Sequence, residues 1–420
     1  MGKNNGAVFA LIAIFAGFAA FSFAVFGFGH SPDLMATWLA GYFHQIGATD
    51  QVYAGYDGLY TMLPPSDWWP YLQSQGRDQS VFPYVYPPIW AVVTGWLTPL
   101  VGLDAFQVVA SLVNPVLMAG MIALAGRATG AQGWALVRFV VLGLGIMMVT
   151  LPGSVALEQN QPQILVSFLI VAAIERDRAG AVRTAGAALA LAAAIKLYPA
   201  LLVVLWLAAR RWGSVASFAI VGASLGTLSI LLAGWPLHEV FLSDVSAIRN
   251  TALVTSFTYG IDPVIAQIAH ADQLQFVPGL DNLPDAANQL GWSVMAKGAV
   301  WSGLSTVALV ALAAFAALRA RGGADLLFWP FVLVALALIS PLSWGYHYLP
   351  ALAFLPDLLN RYGPRRGGLI VLAVVAPVTL PVLGLLPLPA SGLLLPQIVG
   401  TVAMAGLGLA FLLAPPAAKD

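Results

Sequence analysis

An aspartate in a polar stretch is the first candidate for acid–base chemistry in this sequence. Asp50 lies in the run Thr-Asp-Gln-Val-Tyr-Ala, which follows an apolar segment at residues 7–28. A carboxylate held close to the low-dielectric edge of a membrane suits a general base, because partial desolvation strengthens its affinity for a proton. A solvated loop aspartate is an equally good interpretation of Asp50 on local sequence alone.

A lysine inside an apolar run is the most informative single residue. Lys196 interrupts residues 184–209, a run too long for one simple helix between Arg183 and Arg210. If both arginines face the cytoplasm, the chain must turn back near Lys-Leu-Tyr-Pro and place Lys196 at the outward tip. An ionisable residue within membrane segments is a candidate functional residue, here a ligand of phosphate or lipid phosphate. The alternative is a structural lysine that is ion-paired or extends its ammonium group to the membrane surface.

Other cationic groups lie at further breaks between apolar runs. His347 follows Ser-Pro-Leu-Ser-Trp-Gly-Tyr and could donate to a phosphate or a sugar hydroxyl, although a lone histidine here is more typical of a hydrogen-bonded buried side chain. Arg249 and Lys297 are weaker candidates for a phosphate contact, and a solvated loop charge is the preferred interpretation of Arg249. Whether Arg77 joins them is left open by the sequence.

Two further clusters add hydrogen-bonding and aromatic groups. Residues 158–163, Glu-Gln-Asn-Gln-Pro-Gln, carry more polar side chains than a connection between helices requires, which favours contact with a polar ligand. The aromatic run at 81–88 ends in a double proline that favours an extended entry into the next helix. Its tyrosines could contact a substrate or form an aromatic belt at a membrane interface. The candidates in these clusters are Tyr84, Tyr86, Glu158, Asn160 and Gln161.

The composition defines the setting in which these residues act. The 420 residues are 60% hydrophobic and 9% charged, with a mean hydropathy of +0.85, whereas soluble domains carry roughly a quarter charged residues. This composition predicts a polytopic membrane protein. The 18 basic and 18 acidic residues cancel, which excludes a nucleic-acid binder of the basic-patch type. The absence of cysteine excludes disulfides and thiolate chemistry, and no Walker A, dinucleotide-binding or metallopeptidase motif is present.

The apolar runs predict an all-α bundle of about twelve transmembrane helices with external helices at the membrane surface. The run 7–28 is interpreted as an uncleaved anchor with a cytoplasmic N-terminus. Two long external segments are predicted at 29–103 and 235–291, and the run 88–101 is short enough for an interfacial helix. Most Lys and Arg side chains then fall on the cytoplasmic side and all five His outside, which places the chemistry at the outer face. The remaining spans are predicted at 104–126, 135–151, 162–174, 184–196, 199–209, 213–233, 292–318, 325–340, 346–359, 367–386 and 392–414.

Four short motifs, taken in order, resemble glycosyltransferase family 87, the bacterial polyprenyl-phosphate-dependent membrane transferases of the GT-C class. The resemblance covers residues 5–390. In two places the chain departs from the family pattern, because Asn160 precedes Gln161 where glycine is usual and Tyr346 takes the first position of a frequent histidine pair. The motifs are Asp50-x-x-Tyr53-Ala54, the aromatic run with Tyr84, Tyr86, Pro87 and Pro88, Lys196-Leu-Tyr-Pro199, and Ser340-Pro-x-Ser-Trp344 followed by His347.

The resemblance implies a single membrane-embedded glycosyltransferase domain over residues 1–420 and an inverting displacement. Asp50 would deprotonate a hydroxyl of a lipid or glycan acceptor, which attacks a mannose-like hexose or pentose on polyprenyl phosphate. Lys196 and His347 would meet the charge of the departing lipid phosphate. No metal or other cofactor is implied, and the site would face the periplasm from the bacterial inner membrane. The implied substrate contacts are Tyr53, Tyr84, Tyr86, Glu158, Asn160, Gln161 and Trp344.

Two other classes of protein share parts of this pattern. A transporter or lipid flippase would also have many spans, but its ionisable groups would be expected near the middle of the bilayer rather than at the outer edge. A non-enzymatic protein of envelope assembly would not need Asp50 or Lys196.

Overall fold

The computed structural model describes residues 2–77, 80–279, 291–386 and 393–416, and the chain within these ranges is mainly helical. The α-helices are α1 (Gly2–Phe26), α2 (Pro32–Gln45), α3 (Trp68–Ser74), α4 (Pro88–Leu97), α5 (Leu103–Ala128), α6 (Gly133–Val149), α7 (Leu151–Glu158), α8 (Gln163–Arg178), α9 (Val182–Ile195), α10 (Val203–Ala208), α11 (Trp212–Ala233), α12 (Trp235–Arg249), α13 (Ile261–Ala269), α14 (Ala299–Arg321), α15 (Phe328–Ile339), α16 (Leu349–Leu352), α17 (Asp357–Tyr362), α18 (Pro364–Val375), α19 (Leu380–Leu383) and α20 (Leu395–Leu412). Short 3-10 helices lie at Thr49–Gln51, Tyr198–Leu202, Ala271–Gln273, Gly345–Tyr348 and Ala376–Val378.

Within the described ranges, five helices are long and apolar enough to cross a membrane, judged by length and composition, namely α1, α5, α11, α14 and α20. Further apolar helices of 10 to 17 residues include α4, α6, α9 and α15. A span needs about 20 residues unless the bilayer thins or the helix continues beyond a break. The helical architecture agrees with the predicted all-α membrane protein, whereas the count of about twelve crossings stays a prediction.

Three predicted spans differ from the helices observed. The predicted span 292–318 begins too early, because its first residues form a strand and α14 starts at Ala299. The predicted spans 346–359 and 367–386 are each divided into short helices. Proline has no N–H and disfavours the helical conformation in the residue before it, so residues such as Pro350 and Pro381 mark new helix starts rather than continuous spans.

A small antiparallel sheet, which the sequence did not predict, lies in the second predicted external segment and just beyond it. Its strands are β1 (Thr251–Val254), β2 (Gln275–Pro278) and β3 (Gly291–Ala296), in the order β1-β3-β2. Thr251 pairs with Ala296, and Gln275 pairs with Val294. The segment is therefore folded around β3, with α12 and α13 beside it, rather than an open loop.

Close helix crossings fix the position of α2. A Cβ on Gly95 of α4 would lie 2.9 Å from the carbonyl oxygen of Gly41 of α2, and one on Gly41 would lie 2.7 Å from the Gly95 nitrogen. Only glycine at both positions lets the two backbones approach this closely. Helix α2 begins with Pro32 at its first position, which suits the fixed φ of proline. The crossing therefore holds α2 closely against α4.

Candidate active site

One cavity of ≈ 1040 Å³ lies where several helices end. Its wall includes the first turn of α2, the break after α9 and the turn after α15, together with residues of α12, β3 and α14. Chain breaks leave backbone and side-chain polar groups free to face a cavity, which a continuous helix would not. Of the residues singled out in the sequence, the cavity wall contains Tyr86, Lys196, Arg249, Lys297, Trp344 and His347.

Lys196 and His347 meet in this wall although they are far apart in the chain. The Lys196 Nζ lies 3.3 Å from the His347 Nε2. The same ammonium group lies 5.6 Å from the ring centroid of Tyr86 and 5.2 Å from that of Tyr346, which places a cation over two aromatic faces. Lys196 follows α9 directly, and the Trp90 indole donates to the Ala194 carbonyl at 2.6 Å, which ties this helix end to α4.

The hydrogen bonds of His347 favour one tautomer of its ring. When Nδ1 accepts the backbone N–H of Trp344, which lies 3.1 Å away, the neutral ring holds its hydrogen on Nε2. That Nε2–H stands beside an ammonium group, and both are donors. Two adjacent donors at a cavity wall call for a shared acceptor, and an anionic oxygen such as that of a phosphate fits both.

Asp33, in the first turn of α2, supplies the carboxylate of the same cavity. Burial raises the pKa of Asp33 to about 6, while the charge of Lys196 and a hydrogen bond from Gln161 oppose the rise. A carboxyl group with such a pKa is ionised at neutral pH and still accepts a proton readily, which are the properties of a general base. The sequence analysis missed Asp33. Its available signal was Ser-Pro-Asp directly after the first apolar run, a pattern typical of a helix start.

The structure places Asp50, the predicted base, away from this cavity. It lies in the short 3-10 helix Thr49–Gln51, is exposed, and accepts a hydrogen bond from the Gln51 side-chain amide at 3.1 Å. It is not part of the cavity wall. The environment of Asp50 is that of the solvated loop aspartate, and Asp33 occupies the place that the sequence analysis expected for Asp50.

The candidate tyrosines pack against one another with tilted and edge-on rings, and one of them reaches the cavity. Tyr53 donates to the Tyr86 carbonyl at 2.6 Å, and Tyr84 donates to the Pro87 carbonyl at 2.9 Å. Tyr53 and Tyr84 are buried and do not belong to the cavity wall. Tyr86 faces the cavity and donates its hydroxyl hydrogen to Gln161 Oε1 at 2.8 Å. The first two tyrosines therefore position Tyr86 and the loop around it.

Asn160 is enclosed in a hydrogen-bond network beneath the cavity. Its Oδ1 accepts from Asn114 at 3.1 Å, and its Nδ2 donates to Ser31 and Ser111, each at 3.0 Å. Asn160 has a φ of 46°, a left-handed conformation that asparagine tolerates better than most residues. The network joins the turn before α2 to α5 and to the 158–163 connection, so Asn160 positions neighbouring residues and does not reach the cavity.

The residues next to Asn160 in the 158–163 connection have different environments. Glu158 is exposed, and its backbone carbonyl accepts a hydrogen bond from Ser31 at 2.8 Å. Gln161 is buried and bridges Tyr86 and Asp33. Gln159, which the sequence analysis did not select, lines the cavity with a buried Oε1 that has no hydrogen-bond partner. A buried amide oxygen without a partner is costly and is a ready acceptor for a ligand hydroxyl.

The other candidate cations differ sharply in their partners. Lys297 donates to Asp262 Oδ2 at 2.8 Å, with 1% of its side chain exposed, and is thus a buried ion-pair member. Arg77 is paired with Asp104. Arg249 is exposed in the cavity wall and donates to the Thr306 hydroxyl at 2.9 Å.

A second buried carboxylate supports the wall from behind. Asp244 of α12 accepts the backbone N–H of Tyr56 at 2.9 Å, and burial raises the pKa of Asp244 to about 6. Its contact fixes the loop that leads to Tyr60, which lines the cavity. Asp244 is 2% exposed and is not part of the wall, so we assign it a positioning role.

The part of the cavity wall beyond Lys196 is apolar and opens towards the surface. Leu197 and Leu201 lie directly beyond Lys196 and are 47% and 44% exposed. Leu336 and Leu380 continue this wall, and Leu380 is 64% exposed. Apolar side chains exposed beside a polar site suit the hydrocarbon of a lipid ligand.

Fold and site together define a helical protein with candidate membrane-crossing helices and, where several helices end, a largely apolar cavity that holds a cluster of polar groups. The model of glycosyltransferase family 87 matches residues 84–342, which is more than half of the chain. The chain therefore belongs to glycosyltransferase family 87, as its motifs indicated.

A curated relative carries the comparison further. The polyprenol-phosphate-mannose-dependent alpha-(1-2)-phosphatidylinositol pentamannoside mannosyltransferase of Mycolicibacterium smegmatis is 26% identical over 319 residues. The matched region covers 74% of this chain and 68% of the relative. The chain is thus similar to a mannosyltransferase along most of the length of both proteins.

Proposed function

We propose that this protein transfers a mannose-like hexose or pentose from polyprenyl phosphate to a hydroxyl of a lipid or glycan acceptor, with inversion at the anomeric carbon. Asp33 is the general base, and Lys196 and His347 bind the phosphate of the donor. The observation that carries the proposal is that a carboxylate and a pair of adjacent donors line one cavity.

The chemical step follows from these three side chains. The Asp33 carboxylate removes the proton of the acceptor hydroxyl while that oxygen bonds to the anomeric carbon. The bond between the anomeric carbon and the phosphate oxygen breaks, and the electron pair leaves with the lipid phosphate. The Lys196 ammonium and the His347 Nε2–H stabilise the charge that develops there. A phosphate leaves without a general acid, so one carboxylate suffices, in contrast to the two that glycosidases use.

The apolar wall supports a lipid-linked donor. With a phosphate at Lys196, the chain attached to it would extend along Leu197 and Leu201, whose side chains are partly exposed. Burying a prenyl chain there gains about 25 cal/mol for each Å² of apolar surface removed from water.

Sugar and acceptor are proposed by similarity to the relative. Its name describes a polyprenol-phosphate-mannose donor and a phosphatidylinositol pentamannoside acceptor, which supports a mannose-like donor and a lipid glycoside acceptor for this chain. We place the site at the outer face of the bacterial inner membrane. The distribution of arginines supports this, because Arg127, Arg176 and Arg211 lie at helix ends away from the cavity, beside Glu175 and Asp177.

A paired substitution tests the proposal. Asp33→Asn keeps the shape of the side chain but cannot accept a proton, so transfer from a labelled polyprenyl-phosphate mannose should fall by about a hundredfold or more. Asp50→Asn makes the same chemical change outside the cavity and should leave transfer close to that of the wild type. Both variants should still bind undecaprenyl phosphate.

Each alternative has its own result. Loss of transfer in Asp50→Asn with normal transfer in Asp33→Asn would restore Asp50 as the base. A transporter or flippase would give no transferred sugar with the wild type and any acceptor, and would instead move lipid between the leaflets of a reconstituted vesicle.

A further inference from the structure

We propose, on the basis of the glycosyl transfer proposed above, that Arg249 and the hydroxyl face of α14 form a second phosphate subsite. This subsite binds the phosphate of an anionic acceptor lipid, separately from the donor phosphate at Lys196. The acceptor is thereby a lipid glycoside whose phosphate lies at the membrane surface while its sugar reaches towards Asp33.

Arg249 offers to the cavity a charge that has no carboxylate partner among the described residues. It ends α12, is exposed in the cavity wall, and has one hydrogen bond, from its guanidinium to the Thr306 hydroxyl. Within the described part of the chain, no carboxylate oxygen lies within the 4.0 Å that defines an ion pair with Arg249. The remaining N–H groups of the planar guanidinium can hold two oxygens of one phosphate at the same time.

The other two cations of the cavity wall interact with other groups. Lys297 is neutralised by Asp262 at 2.8 Å, and Trp301 donates to the second oxygen of that carboxylate at 2.8 Å. Lys196 stands beside His347 and shares its cavity with Asp33. A second anionic group in the cavity would therefore meet its complementary charge at Arg249.

Hydroxyl groups of α14 complete the subsite. Ser302, Ser305 and Thr306 line the cavity together with Leu309, and this spacing places all four on one face of the helix. Each of the three hydroxyls donates its hydrogen to a protein oxygen in the structure, and a hydroxyl can rotate to donate to a phosphate oxygen instead. An exposed guanidinium beside a row of hydroxyls is suited to a phosphodiester, whose oxygens carry charge but no hydrogen.

The rest of α14 provides the surface for the acceptor's acyl chains. Val300, Leu304, Val307 and Val310 are 78%, 64%, 65% and 62% exposed, and α14 is long and apolar enough to cross a membrane. A lipid whose chains lie along this helix has its phosphate close to the hydroxyl face. Because Arg249 and Asp33 line one continuous cavity, the sugar attached to that phosphate can present a hydroxyl to the base.

Binding measurements on the full-length protein in neutral nanodiscs test the subsite without relying on turnover. Two probes share mannose and diacylglycerol, namely monomannosyl phosphatidylinositol and monomannosyl diacylglycerol, and the first adds the charged phosphate together with its inositol. Undecaprenyl phosphate is the third probe and reports the donor site. The test variant is Arg249→Gln, which keeps hydrogen-bonding groups and removes the charge. Arg319→Gln makes the same change at an exposed arginine of α14 outside the cavity.

We expect Arg249→Gln to bind the phosphate-bearing glycolipid about tenfold more weakly or worse, because hydrogen bonds to charged groups contribute more than neutral ones. Its affinity for the neutral glycolipid and for undecaprenyl phosphate should be unchanged, and Arg319→Gln should match the wild type with all three probes. Equal affinities of the wild type and Arg249→Gln for the phosphate-bearing glycolipid would overturn the subsite. A weaker affinity of Arg249→Gln for undecaprenyl phosphate would assign Arg249 to the donor and also overturn it.

Transfer assays separate this inference from the proposed function. With an active wild type, Arg249→Gln should raise the KM for the phosphate-bearing acceptor while the KM for the donor stays the same. If the wild type transfers no sugar at all, the proposed function fails. The binding comparison between charged and neutral glycolipids still decides whether Arg249 forms a phosphate subsite.

Discussion

Removing the ammonium group of Lys196 should affect two measurable properties at once. In Lys196→Ala the donor phosphate loses its charged partner, although the His347 Nε2–H remains available as a donor. A hydrogen bond to a charged group contributes about 1.5 to 3 kcal/mol, so donor affinity should fall roughly 10- to 150-fold. Acceptor affinity should change much less, because the acceptor contacts are proposed at Asp33 and Arg249.

The second property is the acid limb of the pH profile. Burial raises the pKa of Asp33 to about 6 and the charge of Lys196 opposes that rise. Without the lysine charge, the pKa of Asp33 moves further upwards, and the base is protonated at a higher pH than in the wild type. Activity in Lys196→Ala should therefore be lost at a higher pH on acidification. Lys196→Arg keeps the charge and should retain most of the wild-type profile.

The assay combines competition binding with undecaprenyl phosphate and kcat/KM for transfer measured between pH 5 and 8. Melting temperatures of the variants establish that they are folded. A folded Lys196→Ala that binds the donor like the wild type and shows an unshifted acid limb would refute the role of Lys196 in both respects. Lys196 would then be a structural lysine held over the rings of Tyr86 and Tyr346.

Two further predictions follow from the buried groups of the site. In the wild type, kcat/KM should fall about tenfold for each pH unit below about 6. The reason is that the Asp33 carboxylate must be unprotonated to act as a base, and burial raises its pKa to about 6. A flat profile from pH 5 to 8 would contradict this prediction. Asn160→Ala should lower the free energy of unfolding by about 1 to 3 kcal/mol, since it leaves the buried hydrogen-bonding groups of Ser31, Ser111 and Asn114 without their partner. The exposed control Gln75→Ala should melt like the wild type, and an equal melting temperature for Asn160→Ala would show that the network contributes little.

The sequence was sufficient to identify the groups that interrupt apolar runs. Lys196 and His347 stand out because a membrane helix rarely carries such residues without a partner or a function. Both line the cavity, and their 3.3 Å separation joins two helix ends that lie far apart in the chain. The family motifs also allowed the assignment to glycosyltransferase family 87, which the family model confirms.

The choice among carboxylates could not be made from the sequence. Asp33 and Asp50 lie in the same predicted external segment, and both follow the first apolar run closely. They differ in tertiary placement, because Asp33 in the first turn of α2 lines the cavity and Asp50 does not. Which residues line a cavity depends on contacts between distant segments, and the separate sequence patterns of those segments do not specify such contacts.

Pairings between distant segments account for the other differences. The strands of the small sheet have four to six residues each. Residues 255–290 separate β1 from β3, and residues 279–290 separate β2 from β3, so neither pairing has the short turn of a hairpin signal. The many polar side chains of residues 158–163 have different roles in the structure. Asn160 makes its hydrogen bonds to other protein groups. Gln159 lines the cavity, and Gln161 lies next to the cavity wall.

The backbone N–H that Trp344 gives to His347 has a consequence for the direction of proton movement. A hydroxyl proton in the cavity needs a lone pair to receive it. The His347 lone pair at Nδ1 is already occupied by that N–H, and the nitrogen that faces Lys196 carries a hydrogen instead of a lone pair. In the proposed reaction, the turn at Gly345–Tyr348 therefore leaves this histidine tautomer without a free lone pair for the acceptor's proton. The proton would pass to the carboxylate of Asp33, which lines the same cavity.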